Sequence, residues 1–224
     1  MKVITIATQK GGAGKTTLAT NLSVASALSN KTTLLIDADF RQKTALEWFE
    51  KRDNKENPLV IEVNDKSSLC KVLDLAQSRN IDRVFIDTQG ADAPLVNDAI
   101  SISDYCLVPC GSGGFDIQAQ RITAEVIRRF QKEASFIITK APPRGKEVEE
   151  ARVILSGLGI NCANHKTSNL KAYKDSAICS LSVMEYEPNG KASQEIKNLF
   201  SWLEKKIKKN PVLEEFKKRV KESD

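Results

Sequence analysis

Residues 10–17 of this 224-residue chain are Lys10-Gly11-Gly12-Ala13-Gly14-Lys15-Thr16-Thr17. The segment follows a short apolar run at residues 3–7 and precedes an alanine- and leucine-containing stretch at residues 15–29. A strand, a glycine loop and a helix in this order are typical of a phosphate-binding loop. Glycines let backbone N–H groups converge on phosphate oxygens, and the helix N-terminus adds about half a positive charge. The segment therefore predicts a site for the phosphates of a nucleotide.

Two side chains of this loop have the chemistry that a nucleoside triphosphate needs. We expect Lys15 to contact the β- and γ-phosphates and the Thr16 hydroxyl to ligate Mg²⁺. All of the residues from Lys10 to Thr17 are predicted to line the nucleotide. ATP and Mg²⁺ are therefore the expected cofactors.

The rest of the chain alternates short apolar runs with longer amphipathic stretches. Buried strands are predicted at residues 3–7, 33–37, 59–63, 83–87, 105–109 and 135–139. Helices are predicted at residues 15–29, 45–52, 67–79, 93–101, 116–133 and 146–158. The alternation predicts an α/β fold: a doubly wound, mostly parallel sheet with helices on both faces, as in P-loop NTPases. We expect one domain over residues 1–224, with basic C-terminal helices at about 192–222.

One predicted strand ends in an acid that suits the same site. Residues 84–87 read Val-Phe-Ile-Asp, which is the Walker B pattern. Ligands of parallel sheets bind at the carboxyl ends of the strands, where Asp87 would lie. We therefore expect Asp87 to hold Mg²⁺ through water.

The loop departs from the usual G-x-x-x-x-G-K-[ST] pattern in a specific way. That pattern would place glycine at position 9, where this chain has Gln9, and the loop starts with a second lysine, Lys10. The K-G-G-x-G-K-[ST]-T variant resembles the deviant Walker A motif of ParA and MinD ATPases, the nitrogenase iron protein and their relatives. The resemblance implies a catalytic Lys10 that crosses to the partner subunit's phosphates in an ATP-sandwich dimer, beside a catalytic Lys15.

The same resemblance extends to residues 34–39, which are similar to the D-x-D segment of the family. It implies that Asp39 helps to place the attacking water and that Asp37 lies near the Mg²⁺ shell. The next residues, Phe40 and Arg41, depart from the D-x-D-P-Q form and leave this loop one residue longer. Residues 108–114 resemble the family's nucleotide-proximal segment, and base contacts are expected from a turn after residues 160–163.

Cysteine spacing and the chain ends separate the members of this group. The five cysteines are an odd number, which argues against a secreted disulfide framework, and none forms a C-x-x-C pair, which argues against an iron–sulfur scaffold. No apolar run approaches the roughly 20 residues that span a membrane, and residues 1–6 do not resemble a signal peptide. The end of the chain is too charged for a MinD-type membrane helix, and the phosphate loop lies almost at residue 1.

These features resemble the small ParA-type partition ATPases that lack an N-terminal helix-turn-helix. The resemblance implies an ATP-dependent homodimer, non-specific DNA binding and a small centromere-binding adaptor that stimulates hydrolysis. It also implies a cytoplasmic protein, nucleoid-associated when ATP-bound, with no stable membrane association. The alternative is a MinD-like or cargo-positioning ATPase that acts at a membrane or on a protein cargo.

Charge is concentrated near the C-terminus. Residues 197–224 hold nine basic and five acidic side chains, most of the chain's net charge of +5. This asymmetry indicates either a polyanion-binding surface or a solvated helical face. The predicted DNA surface comprises Lys205, Lys206, Lys208 and Lys209, with a second cluster at Lys217, Lys218, Arg219 and Lys221. Lys166 and Lys171 are the alternative surface, in the turn expected near the nucleotide.

Overall fold

The computed structural model describes residues 1–90 and 93–208. Its strands are β1 (Lys2–Ile6), β2 (Thr33–Ala38), β3 (Leu59–Glu62), β4 (Arg83–Thr88), β5 (Tyr105–Cys110), β6 (Ala134–Ala141) and β7 (Asn161–Ser168). Its helices are α1 (Lys15–Leu28), α2 (Thr44–Glu50), α3 (Lys66–Ser78), α4 (Pro94–Ile102), α5 (Gly114–Gln118), α6 (Gln120–Arg129), α7 (Glu147–Ser156), α8 (Lys171–Ile178), α9 (Val183–Tyr186) and α10 (Lys191–Lys208).

The strands form one seven-stranded sheet in the order β3-β2-β4-β1-β5-β6-β7, and every neighbouring pair is parallel. The predicted doubly wound sheet is thus confirmed. Because β1 lies in the middle, the loop that follows it opens at the centre of the carboxyl edge. The register places Asp37 of β2 directly beside Asp87 of β4.

Helices cover both faces of the sheet and bury its apolar side chains. On one face, α1 and α10 pack Leu18 and Leu203 into a shared core. On the other face, α3 contributes Leu69 to one cluster, and α6 and α7 contribute Ile127 and Leu155 to another. Burial on both faces explains why the central strands read as continuous apolar runs.

The prediction of a single helix at residues 116–133 was wrong. The segment forms two helices that meet at Ala119. At the junction, the side-chain amide Nε2 of Gln120 donates to the backbone carbonyl of Asp116 at 3.2 Å. A side chain thus takes the carbonyl that a continuous helix would use for its own backbone bond.

The seventh strand was also missed, together with α8 and α9. The expected turn after residues 160–163 does not exist, because β7 continues to Ser168. Its sequence, Asn-Cys-Ala-Asn-His-Lys-Thr-Ser, is polar because β7 is an edge strand with several partly exposed residues. As a consequence, Lys166 lies within β7 and Lys171 begins α8, and neither occupies a turn.

The basic C-terminal region is described only in part. Helix α10 is described as far as Lys208, and Lys205, Lys206 and Lys208 lie in its last described turn. The remaining predicted basic residues, Lys209, Lys217, Lys218, Arg219 and Lys221, lie outside the described residues. Among the helices over 1–90 and 93–208, none is both long and apolar enough to cross a membrane.

Candidate nucleotide-binding site

The P-loop between β1 and α1 depends on glycine for its backbone conformation. Gly12 has φ 72° and Gly14 has φ 91°, in the left-handed region that favours glycine. Gly14 is also the N-cap of α1 and offers no side-chain cap to the first helical N–H groups. These N–H groups are the donors that a phosphate accepts at a helix N-terminus.

Lys15 points inward from this loop. Its ammonium Nζ donates to the carbonyl of Lys10 at 3.2 Å, and the residue is buried. Burial lowers the pKa of Lys15, while the negative charges of Asp87 and Asp39 oppose that shift. An anionic phosphate would supply the counter-charge that this buried amine lacks.

Gly90, which the sequence did not identify, closes the loop from the side of β4. A Cβ atom on Gly90 would lie 2.9 Å from Nζ of Lys15 and 3.0 Å from the backbone of Gly11. Any side chain here would push the lysine or the loop aside. The residue follows the predicted Asp87 by three positions, a spacing that could have served as a signal.

The end of β4 has the properties of a cation site. Asp87 is 1% exposed, and its Oδ1 is the one buried side-chain polar atom in the described part of the chain that lacks a hydrogen-bond partner. Burial raises the pKa of Asp87 to about 7, while the adjacent Thr16 hydroxyl acts in the opposite direction. A carboxylate oxygen and a threonine hydroxyl are oxygen donors of the kind that Mg²⁺ prefers. These residues therefore fit the expected magnesium ion.

Asp37 is buried beside Asp87 but already has backbone partners. Its Oδ1 accepts the N–H of Asp39 at 3.0 Å, and its Oδ2 accepts the N–H of Leu46 at 2.9 Å. Burial raises the pKa of Asp37, and these N–H groups oppose the shift. The structure thus shows a carboxylate that holds the β2–α2 loop in place. A metal-shell role for Asp37 remains a prediction.

Asp39 begins the turn that leads to α2. Its carbonyl accepts the N–H of Lys43 at 2.8 Å, and Lys43 has φ 50°. The side chain lies close enough to Lys15 to affect the pKa of that lysine. The unusual Phe40 and Arg41 lie in this turn, with the Arg41 guanidinium 5.8 Å from the Phe40 ring centroid. Asp39 therefore lies near Lys15, and its water-placing role remains a prediction.

The side chain of Lys10 leaves the P-loop and contacts α5, whereas the side chain of Lys15 folds back onto the loop. Its ammonium forms an ion pair with Asp116 of α5, and both side chains are about one-third exposed. Gly111 makes room for this acid, because a Cβ there would clash with the carboxylate in its present position. The two lysines of the motif thus have different partners: Lys15 contacts its own loop, and the partly exposed Lys10 pairs with Asp116 of α5.

A buried polar network joins the start of the P-loop to α5 and α6. The hydroxyl of Thr8 donates to Oε1 of Gln120 at 2.9 Å, and the N–H of Gln9 donates to the Thr123 hydroxyl at 3.3 Å. Gln120 is fully buried and also bonds the Asp116 carbonyl through Nε2. This network fixes the position of Asp116, the ion-pair partner of Lys10, relative to the P-loop.

A cavity beside the P-loop is large enough for part of a nucleoside. It measures about 250 Å³ and is lined by Gly14, Thr17, Leu18, Thr139, Lys140, Thr167, Ser168, Asn169, Leu170, Tyr173, Lys174 and Ala177. The Thr139 hydroxyl donates to the Ala13 carbonyl at 2.8 Å, and Lys140 Nζ donates to the Gly12 carbonyl at 2.6 Å. Lys140 has φ 51°, in the left-handed region, and non-glycine residues with such strained backbones often lie at functional sites. The β6 and β7 ends thus replace the expected turn as the wall of this cavity.

A parallel sheet whose first strand runs into such a loop, with an unpartnered acid at the end of β4, defines a P-loop nucleotide-binding protein. Sequence comparison assigns the family. The chain belongs to the CobQ/CobB/MinD/ParA nucleotide binding domain family, whose model matches residues 4–223.

Individual relatives are distant in sequence but similar over nearly their whole length. The maintenance of carboxysome distribution protein A of Halothiobacillus neapolitanus is 24% identical over 207 residues, covering 88% of this chain and 94% of that protein. The MinC:MinD cell division protein complex of Aquifex aeolicus matches with a TM-score of 0.76 and 21% identity, covering 91% of this chain and 95% of that chain. MinD of Pyrococcus horikoshii, complexed with Mg-ADP, matches with a TM-score of 0.75 and 16% identity, covering 90% and 95% respectively. These solved structures support the fold.

Proposed function

We propose that this protein is a ParA-type partition ATPase. Two copies sandwich two Mg·ATP molecules, the dimer binds DNA without sequence preference, and a small adaptor bound to the cargo stimulates hydrolysis. The observation that carries the proposal is the difference between the two lysines: Lys15 is buried and turns inward to its own loop, whereas Lys10 is partly exposed and turns outward to Asp116. A single phosphate loop needs one inward lysine, whereas an outward lysine at the same edge suits the phosphates of a second copy.

Hydrolysis in this scheme depends on positioning. Mg²⁺ bound at Thr16 and Asp87 would neutralise charge on the phosphates. Lys15 contacts the β- and γ-phosphates, and Asp39 orients the attacking water in line with the bond that breaks. Lys15 and Asp87 are buried, so their interactions with the reacting end of the nucleotide would take place away from water, where charge interactions are stronger.

The proposed DNA surface is the last turn of α10. Leu199, Leu203 and Ile207 are buried against the sheet, so Lys205, Lys206 and Lys208 lie on the outer side of the helix. The acid of the same turn, Glu204, is neutralised by the Arg83 guanidinium through two bonds of 2.7 and 2.8 Å. Without a free acid in that described turn, its lysines present a positive surface to phosphates.

A second candidate differs in the cargo. The relative from Halothiobacillus neapolitanus bears a name that refers to the maintenance of carboxysome distribution. The same ATP-driven dimer would then position a protein cargo, either along DNA or at a membrane.

The test is co-sedimentation of the full chain with plasmid DNA and, separately, with anionic liposomes. Each is run with Mg·ATP, with Mg·ADP and without nucleotide. The partition ATPase is expected to sediment with DNA only in Mg·ATP, irrespective of sequence. Sedimentation with liposomes alone would favour the membrane alternative, and no nucleotide-dependent sedimentation with either would contradict the proposal.

A further inference from the structure

Phe115 is exposed to water to an unusual degree. Its side chain is 86% exposed, more than any other large hydrophobic residue in the described part of the chain. It lies on α5, at the carboxyl edge of the sheet where the P-loop opens. A phenyl ring gains free energy when it leaves water, so burial of this ring against a partner would be favourable.

The position of Phe115 is coupled to the nucleotide loop by two independent contacts. Its neighbour Asp116 forms the ion pair with Lys10, and Gln120 bonds both the Asp116 carbonyl and the Thr8 hydroxyl. These contacts fix the position of helix α5 relative to the P-loop. Phe115 is thus adjacent in sequence to the residue that pairs with Lys10.

We propose that Phe115 is the apolar anchor of the interface between two copies of this chain. The inference rests on the ATP-sandwich dimer proposed above and assigns a residue to it. The patch contains one apolar ring, one negative charge at Asp116 and one positive charge at Lys10. Because these two charges pair within each chain, the patch has no net charge and can face its own copy across a two-fold axis, the symmetry of a sandwich dimer, without repulsion.

The same composition disfavours other occupants. The Lys10–Asp116 ion pair leaves the patch without the net positive charge that attracts the phosphates of DNA. Membrane binding needs a broad apolar face, whereas α5 offers the single ring of Phe115, since its other apolar side chain, Ile117, is buried. A second copy that brings its own nucleotide to Lys10 fits both the charges and the ring.

The experiment compares dimerisation of the full chain and three variants by analytical ultracentrifugation in Mg·ATP. Phe115→Ser is expected to raise the dimer Kd by about thirtyfold or more, because central aromatic anchors dominate such interfaces. Phe115→Leu, which keeps an apolar side chain, is expected to restore most of the affinity. Val153→Ser is the matched control, since Val153 is 74% exposed but lies on α7.

A second readout reports burial directly. In Phe115→Trp, the added tryptophan emission is expected to shift to shorter wavelength with Mg·ATP, and not with Mg·ADP. Equal dimer Kd values for wild type and Phe115→Ser, with no shift in Phe115→Trp, would overturn the anchor but leave the sandwich intact. A wild-type chain that stays monomeric in Mg·ATP would overturn both. Because the ring is exposed, its removal leaves no cavity that would unfold the protein.

Discussion

At the scale of single residues, the site depends on where a few charged atoms point. Lys15 is buried and turns toward its own loop, whereas Lys10 is partly exposed and pairs with Asp116. Asp87 is buried with one oxygen that lacks a partner. Each arrangement predicts a distinct phenotype for substitution.

Removal of the inward lysine is expected to abolish ATP binding. Charge-assisted hydrogen bonds are worth about 1.5–3 kcal/mol each, so loss of two phosphate contacts in Lys15→Ala predicts an affinity loss of about 100-fold or more. Isothermal titration of the monomer with Mg·ATP measures it. Lys10→Ala is the control, because it should bind ATP as well as wild type and lose only dimerisation-linked hydrolysis. Retained affinity in Lys15→Ala would contradict the assignment of the site.

Asp39 is expected to act on hydrolysis and not on binding. Asp39→Ala should bind Mg·ATP normally but turn it over slower by several powers of ten, because misplaced reactants lose most of the benefit of orientation. The dimer should then persist in ATP for much longer than that of wild type. Single-turnover hydrolysis and gel filtration measure the two effects. A wild-type rate in the variant would show that another group places the water.

Asp87 is expected to lower the stability of the nucleotide-free chain and to provide a ligand for the cation. An ionised buried carboxylate without a full set of partners costs about 1–3 kcal/mol, so Asp87→Asn should stabilise the nucleotide-free chain by that order at pH 8. The same variant should gain little further stability from Mg·ATP, whereas wild type should gain clearly and lose the gain with EDTA. Urea unfolding of both proteins without nucleotide, with Mg·ATP and with Mg·ATP plus EDTA tests both statements. A variant that is less stable than wild type without nucleotide would refute the account.

At the scale of elements, helix α2, which follows the Asp39 turn, is anchored by contacts with α9 and with the residues just before it. Arg52, just beyond α2, binds Glu185 of α9 through bonds of 2.9 and 2.6 Å, and its guanidinium lies 4.4 Å from the Trp48 ring centroid. The indole N–H of Trp48 donates to the Leu181 carbonyl at 3.5 Å. These contacts fix α2, and α2 in turn fixes the end of the turn that begins at Asp39.

Loss of this anchor is expected to destabilise the protein. Breaking one partner of a buried ion pair costs about 3–5 kcal/mol, and the partial exposure of Glu185 reduces this to about 2–4 kcal/mol for Arg52→Ala. Arg129→Ala, at an exposed arginine near the end of α6, should change stability by less than about 0.5 kcal/mol. Thermal or urea unfolding measures both. Similar stability of the two variants would show that α2 does not depend on Arg52.

At the scale of the whole molecule, the nucleotide edge and the last turn of α10 lie apart. Glu195, in the first half of α10, bonds Ser168 at the carboxyl end of β7, whereas Glu204 bonds Arg83 at the start of β4. The helix therefore spans the sheet from its carboxyl edge to its amino edge. A dimer that closes on the nucleotide edge would leave both lysine turns free for DNA.

Charge reversal in that turn is expected to remove ATP-dependent DNA binding. A monomer should bind DNA with a Kd on the order of 10⁻⁴–10⁻⁶ M, and pairing two patches strengthens binding through effective concentration. The variant replaces Lys205, Lys206 and Lys208 together with Glu, and the fraction of protein retained on DNA is measured over a range of salt concentrations. The salt slope should fall by about 3 or more. Reversal of Lys66, Lys71 and Arg79, on or next to α3, is the control, and an equal effect of both triples would indicate a general charge effect.

The phosphate loop, the parallel sheet and the acid of β4 could be predicted from the sequence because each depends on neighbours along the chain. Glycine conformations, strand hydrophobicity and a helix N-terminus are local properties. The ion pair of Lys10 with Asp116, the approach of Gly90 to Lys15 and the bond of Gln120 to Thr8 could not be predicted, because each joins residues more than 70 positions apart. Edge strand β7 was missed for a related reason: partial exposure removes the apolar run that marks a central strand. Strand order alone brings these distant residues to one edge, and only the folded chain decides strand order.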